Sequence, residues 1–408
     1  MITLALKNCR RNIRRTVLTG TAVLFAIWVV IVMLAFMRSM LTGMIENNKD
    51  FECGDIRIRT ASYSEFEDAL PLQFYLPDVE RKLQLVSSLP DVSFAEAVSK
   101  IPVSVYRDGD LTTVTAVGVD ASTSRFAVGK SVTVLSGRMI ETGKNEVVLT
   151  KRLLSKLGLS LGDSVTLLSK TATGGTNGAS YRIVGTVSYA NAQYNGDVLV
   201  MPLSQLDLLG RMPGGALELY AHLVPDVDPN DAAQMITQAL SDPSLEIKTW
   251  KQVTVIAAFL PMYDVMFLLI EILFFCIAST LIFNTTMMAV MERKREISTM
   301  IALGFSRSSI IRLFVTESAI VSFIAAVLAT VGALLAIFAA GVHGIDLSAM
   351  GADAVQGWGF SQVLYPTVSV RSACGTAGFG FAVAVIAALL ASRGVRKIEA
   401  AQALREED

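Results

Sequence analysis

Histidine and cysteine are scarce in this chain, with two and four among 408 residues. His222 and His343 lack sequence neighbours at metal-ligand spacing, which removes the usual histidine-built metal centre. His222 lies on an apparent strand and reads as an ordinary core or surface histidine, not as a triad member. Only Cys53 falls between residues 38 and 255, the long stretch of mixed polarity, so that stretch can form no internal disulfide. Cys53 itself reads as a small buried hydrophobe. An excess of one charge is also missing. The same stretch carries 20 basic against 25 acidic side chains, which excludes a basic footprint for nucleic acid. Gly129, Lys130 and Ser131 spell the end of a phosphate-binding loop, but Ser124 stands where its leading glycine belongs, so the chain binds no ATP by itself. Neither a solenoid period nor an inverted repeat is found.

Apolar sequence, by contrast, is abundant: 52% of residues are hydrophobic and 17% charged. Four uncharged runs, at 17–37, 272–291, 318–342 and 372–391, divide the chain. Each reaches about 20 residues, which at about 1.5 Å per residue crosses a hydrocarbon core about 30 Å thick. Fourteen lysines and arginines lie before the first run, between the second and third, and after the fourth; Arg371 is alone in the loop 343–371. The positive-inside rule then places both termini in the cytoplasm and residues 38–255 outside. A cleaved signal peptide does not fit the first run, which is too long and is followed by Arg38, Ser39 and Met40 in place of a small-residue cleavage site. The fold class that follows is an α-helical membrane protein with four transmembrane helices and a large α+β extracytoplasmic domain inserted between helices 1 and 2.

Patterning refines this plan. Residues 1–16 form a basic interfacial helix with Ile2, Leu6, Cys9 and Ile13 on one stripe. The first span and an outward stalk occupy 17–50, the exterior domain 51–249, and a returning stalk and second span 250–291, with a kink expected at Pro261. A cytoplasmic helix at 292–308 leads to the third span at 309–342. The short loop 343–371, the fourth span at 372–391 and a cytoplasmic tail at 392–408 complete the chain. In the exterior domain, Ile56 and Ile58 alternate with Arg57 and Arg59, and Asp108-Gly109 marks a hairpin between strands at 103–106 and 112–117. Strands at 146–150, 164–169, 181–189 and 198–201 and a helix at 151–157 form a mainly β subdomain. Helices at 79–88 and 230–240, strands at 92–97 and 245–248 after them, and 216–224 form a split α+β subdomain. Residues 171–180 read as a mobile, polar, glycine-rich loop.

The loop after the second run carries the densest pattern. Glu292, Arg293, Arg295 and Glu296 precede the apolar Ile297, Met300, Ile301 and Leu303, and Gly304 supplies a helix stop. This spacing predicts a compact amphipathic helix lying across the inner membrane face. Composition alone favours a plain positive-inside anchor with an interfacial helix over a docking element. The residues Glu292, Arg293, Arg295, Glu296, Ile297, Gly304, Glu317 and Ser318 resemble the loop pattern of the FtsX-like permease family of ABC transporters. Further likeness runs through Leu4 to Leu18, Val147 to Asp163, Val184-Gly185, Met201-Pro202-Leu203 and Ala403 to Glu406. The resemblance implies that the loop docks on a separate ATPase dimer, with Glu292, Arg293, Arg295, Glu296, Ile297, Met300, Gly304 and Glu317 as coupling residues. It also implies that ATP and magnesium sit on that partner, and that this chain binds no cofactor and is not itself an enzyme.

Within the family, one span followed by three, with a large exterior insert, is most similar to lipoprotein-releasing permeases and to the macrolide-exporter type. Only 16 residues precede Val17, so the exporter type's fused ATPase is not expected. A second permease, identical or paralogous, and membrane lipids are the other implied partners, in a bacterial inner membrane. Lipoprotein substrate and a periplasmic chaperone or adaptor follow from the same likeness, although 171–180 lacks the bulky apolar or Arg residues of a chaperone-recruiting hook. Asp264 and Glu271, seven residues apart, share a helix face. With Phe267, Phe274, Leu268 and Phe275 they form either an outer vestibule for a lipidated substrate or ordinary headgroup-level and packing residues. Export of amphiphilic peptides or drugs, and regulation of a cell-wall hydrolase without transport, are the competing functions.

Overall fold

The computed structural model describes residues 13–66, 71–107, 109–128, 132–189, 192–346 and 363–397. The expected interfacial helix before Ile13, Asp108, the 129–131 stretch, much of the loop 343–371 and the tail after Lys397 lie outside the described residues. The chain divides into two units, one of Met1–Met40, Pro261–Ile345 and Tyr365–Asp408, the other of Leu41–Leu260 and Asp346–Leu364. Among the described residues, four helices are long and apolar enough to cross a membrane.

Helix α1 (Ile13–Asn48) runs on past its apolar stretch and ends in a π turn at Lys49–Cys53. Strand β1 (Ile56–Thr60) follows, then α2 (Val79–Ser87), β2 (Val92–Arg107), β3 (Asp110–Val119), β4 (Val132–Gly137) and β5 (Glu146–Thr150). After α3 (Lys151–Leu157) come β6 (Ser164–Lys170), β7 (Thr176–Tyr189), β8 (Val198–Pro202), α4 (Leu203–Gly210), β9 (Glu218–Leu223), α5 (Pro229–Leu240) and β10 (Leu245–Thr249). Local chemistry sets several boundaries. Thr150 accepts from the Leu153 N–H at the start of α3, and Gly158 ends that helix at φ 58°. Asp228 caps α5, whose first residue is Pro229.

The strands form one sheet in the order β10-β1-β9-β2-β3-β8-β5-β7-β4, with β6 paired to both β2 and β7. Its central strands are buried on both faces. Val114 and Ala116 of β3, Val147 and Leu149 of β5 and Leu199 and Met201 of β8 enter one core; Val117, Val119, Val148, Val198 and Val200 enter another. The two-residue period of a strand makes this division unavoidable, and it explains the unbroken apolar runs at β5 and β8. A third core lies under α2 and α5, where Ile56, Ile58, Val86, Leu219 and Ile236 are fully buried.

Two expectations need correction. The strands expected at 92–97 and 103–106 are halves of the single strand β2, which pairs with β9 over Val92–Val98 and with β6 over Ser104–Tyr106. The expected α+β and β subdomains thus share one strand. Lys100 and Pro102 interrupt its apolar pattern, yet Pro102 fits. Its partner Thr115 donates its N–H to Asp197 on the far side, so the pair is a non-hydrogen-bonded one and the missing proline N–H faces the gap between β9 and β6. Nor is 171–180 a loop: β7 begins at Thr176 and pairs with β6 from Lys170↔Thr176 to Ser164↔Arg182. The remaining five-residue turn and the start of β7 are tied to α4, with Ala172 N–H donating to the Gly210 carbonyl and the Asn177 side-chain amide to the carbonyls of Leu208 and Leu209. Its polarity satisfies hydrogen bonds to a helix end and does not signal mobility.

In the other unit, α6 (Val255–Glu292), α7 (Lys294–Ala302), α8 (Arg307–His343) and α9 (Val370–Ser392) follow. Helix α6 continues through Pro261; the break in helix falls earlier, at the extended residue Thr254. Helices α8 and α9 pack on each other, and their buried positions are mostly small, among them Ala325, Ala329 and Ala333 on one and Ala377, Ala384 and Ala388 on the other, as suits close helix packing. Phe323, Leu328, Leu335 and Phe338 on α8 point outward, as lipid-facing residues do.

The sheet's closest backbone contact provides a test. A Cβ at Gly185 would stand 2.0 Å from the Arg138 carbonyl oxygen, where neither backbone can yield cheaply. Gly185→Ala is expected to destabilise the domain by about 3 kcal/mol, read as a lowered thermal midpoint of the detergent-solubilised chain.

Candidate coupling site

The junction of α6, α7 and α8 brings together most of the residues that the sequence singled out. Arg293 leaves helical geometry at φ −100°, ψ 20° and separates α6 from α7. Gly304 adopts φ 91°, and Ser306 caps α8 by accepting the Ser309 N–H. Ile297, Met300 and Ile301, at helical spacing i, i+3, i+4, pack against Val290, Ile310, Ile311, Phe314 and Val395. The apolar face of α7 is therefore covered by the chain's own helices. Leu303, also expected on this face, is 74% exposed, because six residues beyond Ile297 the helix has turned about 240°.

The eight coupling residues divide by direction. Arg293, Ile297 and Glu317 are buried, and Met300 is half-buried; Glu292, Arg295, Glu296 and Gly304 are exposed. The Arg293 guanidinium bonds Glu296 at 2.8 Å and Glu317 at 3.3 Å, and lies 5.1 Å from the centre of the Phe314 ring. These buried members hold α7 in place; the outward surface is formed by Glu292, Arg295, Glu296, Thr299, Leu303 and Phe305. Phe305, 54% exposed, was not among the residues the sequence singled out. Its position one residue past a left-handed glycine, where the chain reverses toward α8, is the signal that could have found it.

The vestibule residues are not assembled into an open surface. Asp264 is exposed and Glu271 and Phe274 are half-buried, but Phe267 is 5% exposed. Phe275 packs edge-on to Phe379 at 5.5 Å and beside Gly380. Both phenylalanines are packing residues of the bundle, and Leu268 alone of the apolar set is well exposed.

A second constellation stands where α1 enters the sheet. Lys100 of β2 reaches back to the π turn, bonding the Phe51 carbonyl at 2.5 Å, Glu52 at 3.0 Å and the Tyr194 hydroxyl at 3.0 Å. Phe51 sits fully buried among Phe126, Tyr189 and Tyr194. Lys49 pairs with Asp55 at 2.9 Å and lies over Trp250, so the outgoing and returning stalk segments meet at one lysine. Burial alone would push the Lys100 ammonium down, but Tyr194, Glu52 and Glu218 outweigh it and hold its pKa well above the ordinary lysine value. His222 is settled too: it bonds Glu96 at 2.9 Å and stacks on Phe94. Cys53 is fully buried. Among the described residues no His, Cys, Asp and Glu cluster could hold a metal ion.

Residues 16–239 match the family model described as the MacB-like periplasmic core domain, and residues 268–400 match the FtsX-like permease C-terminal model. The chain belongs to the MacB-type, FtsX-like ABC permease family. Its first match takes in most of α1 and the strands β1 to β9; the second contains the α6–α7–α8 junction. Members of this family are transmembrane permeases that work with an ATPase, and this chain is a multi-pass membrane protein of that kind. The periplasmic region of MacB from Actinobacillus actinomycetemcomitans is similar at 13% identity over 52% of this chain and 95% of that one, with a TM-score of 0.38. The extracellular domain of the noncanonic ABC-type transporter YknZ from Gram-positive bacteria is 15% identical over 48% and 99%, with a TM-score of 0.34. A domain of a putative permease from Porphyromonas gingivalis is 15% identical over 41% and 74%, with a TM-score of 0.28. No curated protein sequence matches the chain.

The Lys100 cluster makes a pH-resolved prediction. Lys100→Met removes the cation that joins the π turn to β2 and is expected to cost about 3 kcal/mol. Because the folded-state pKa is raised above its unfolded value of 10.5, the contribution is fully present below that pH and fades as pH rises through the folded value. The gap in unfolding midpoint between wild type and variant should stay constant from about pH 6 to 9 and narrow only at strongly alkaline pH.

Proposed function

We propose that this permease is the membrane half of a mechanotransmission machine in a bacterial inner membrane, with both termini cytoplasmic and a separate ATPase dimer as its engine. A second permease, identical or paralogous, completes the complex. The observation that supports this best is the division of α7 into two faces. Its apolar residues are used against α8 and Val395, so the outward face of Glu292, Arg295, Glu296, Thr299, Leu303 and Phe305 is left for a water-soluble partner. Two apolar side chains rimmed by charges of both signs have the composition of an interface anchor with a polar rim. ATP and magnesium belong to the partner in this reading, and the present chain contributes force transmission alone.

Closure of the ATPase dimer pushes on α7, and the long helices α1 and α6 carry the movement outward. The work done there is extraction of lipoproteins from the inner membrane. Uncharged spans support a mechanism without a polar conduit, because a hydrophilic pathway would need ionisable residues along it. Asp264 and Glu271 then mark the outer approach for a lipidated substrate, with Leu268 as its exposed apolar neighbour. Phe274 flanks them, whereas the packing of Phe267 removes it from any direct contact. The domain's readiness for outside work is supported by the root cluster around Lys100, which ties the π turn at the stalk end to β2 of the sheet. Export of amphiphilic peptides or drugs with a periplasmic adaptor and regulation of a cell-wall hydrolase are the rival outcomes of the same machine. Cross-linking the full chain in membranes and identifying what the exterior domain captures separates a lipoprotein or its chaperone from an adaptor or a hydrolase.

Leu303→Asp is expected to weaken association with the ATPase at least about 10-fold, as loss of an interface anchor does. Insertion into the membrane should be unaffected. Unchanged association of both Leu303→Asp and Phe305→Asp ends the docking assignment. Glu271→Ala should slow lipoprotein release from proteoliposomes by several-fold with ATPase binding intact, and normal release would remove the vestibule.

A further inference from the structure

Arg293 occupies an unusual place: it is the hinge residue between α6 and α7, and its own side chain reaches the neighbouring helix α8. We propose that Arg293 and Glu317 form a releasable latch that fixes the angle of α7 on α8, acting as positioning residues and not as contacts for the ATPase. The consequence for coupling rests on the docking reading above; the latch itself is a property of this chain alone.

Three observations carry it. The guanidinium is shared unequally, at 2.8 Å from Glu296 in the first turn of α7 and at 3.3 and 3.4 Å from the two oxygens of Glu317 on α8. The bond from the hinge into α7 is thus the tighter, and the one across to α8 the looser. Phe314 lies under the guanidinium at 5.1 Å, giving Arg293 a face on which to pivot without leaving the site. Finally, Glu317, 6% exposed, borders a cavity of about 40 Å³. Its polar walls are Thr16 and Thr19 of α1, Thr285 and Thr286 of α6, and Ser318.

That cavity changes the character of the ion pair. A buried pair enclosed by hydrocarbon is permanent, because separating it strands a charge. Here the space has room for about three waters by the measure of about 10–15 Å³ each, and Thr19 of α1, Thr286 of α6 and Ser318 of α8 line it with hydroxyl-bearing side chains. When α7 is pushed, Glu317 can exchange the guanidinium for water and hydroxyl partners while Arg293 keeps Glu296. Neither charge is left bare, so the junction has two satisfied arrangements. Such bistability, and not mere rigidity, is what a force-transmitting element requires.

The test uses the full-length chain in nanodiscs, with Cys9, Cys276 and Cys374 replaced by serine and spin labels at Ala302→Cys and Arg312→Cys. Double electron–electron resonance should give one narrow distance in the otherwise wild-type protein. Glu317→Gln and Arg293→Gln should each broaden it to a similar extent, and the double variant should broaden it no further than either single one. Glu317→Asp and Arg293→Lys, which keep the charges and the fold, should lie in between. An unchanged distribution in both charge-removing variants, or additive broadening in the double variant, overturns the latch. In a second measurement, with the ATPase recovered alongside the wild-type chain from native membranes, Glu317→Gln should bind within about 2-fold of wild type while stimulated turnover falls about 10-fold, a split of about 1.4 kcal/mol between binding and catalysis. Loss of association by Glu317→Gln, matching that of Leu303→Asp, would make it a docking residue and refute the positioning role. Normal association of Leu303→Asp with broadening still present in Glu317→Gln would refute the docking assignment and leave the latch standing.

Discussion

The packing of Ile297, Met300 and Ile301 against Val290, Ile310, Ile311 and Phe314 governs what the α6–α7–α8 junction can offer to its surroundings. Apolar surface spent inside the bundle is not available to lipid, so α7 is held by its own helices and presents a mixed polar face outward. The same packing brings Arg293 over Phe314 and within reach of Glu317, a contact that would not exist if α7 floated in the headgroup layer. A short helix of nine residues would be marginal alone in water. Here its stability comes from this one buried face.

In the α+β domain the comparable constraint is that β5, β8 and the second half of β3, from Ala116 to Val119, have no solvent face. With a core on each side, these strands can neither slip by one residue nor expose a side chain without unpacking a layer. The stalk end is attached to this rigid centre through a polar contact and an aromatic one together: Lys100 on the Phe51 carbonyl, and the Phe51 ring among Phe126, Tyr189 and Tyr194. Coupling a charged hydrogen bond to a ring cluster fixes both the position and the rotation of the chain where α1 gives way to the sheet.

The class of fold was legible because its signals are long: uncharged runs of membrane length, and strands whose period decides which core each residue enters. Short-range chemistry was legible where one residue dictates a boundary, as Thr150 and Gly158 do for α3. Three features were hidden for physical reasons. Lys100 and Pro102 made one strand look like two, since a buried lysine satisfied by three oxygens and a proline facing an unpaired gap both imitate a loop. The polarity of 171–180 looked like freedom, whereas the Asn177 side-chain amide and the Ala172 N–H meet the end of α4. At the coupling site, Arg293 and Glu317 carry charge and so read as surface residues; only the fold reveals that they face each other across a helix junction.

Pro102 has a wider implication. Between the last residue of β2 paired to β9 and the first paired to β6, the strand shows an open stretch of its edge inside an otherwise complete ladder. An uncovered stretch of this kind invites a foreign segment to add itself by backbone pairing. With no amide hydrogen to offer at its middle rung, Pro102 denies an intruder the continuous anchorage it would need. That refusal is achieved with one ring closure in place of a covering helix.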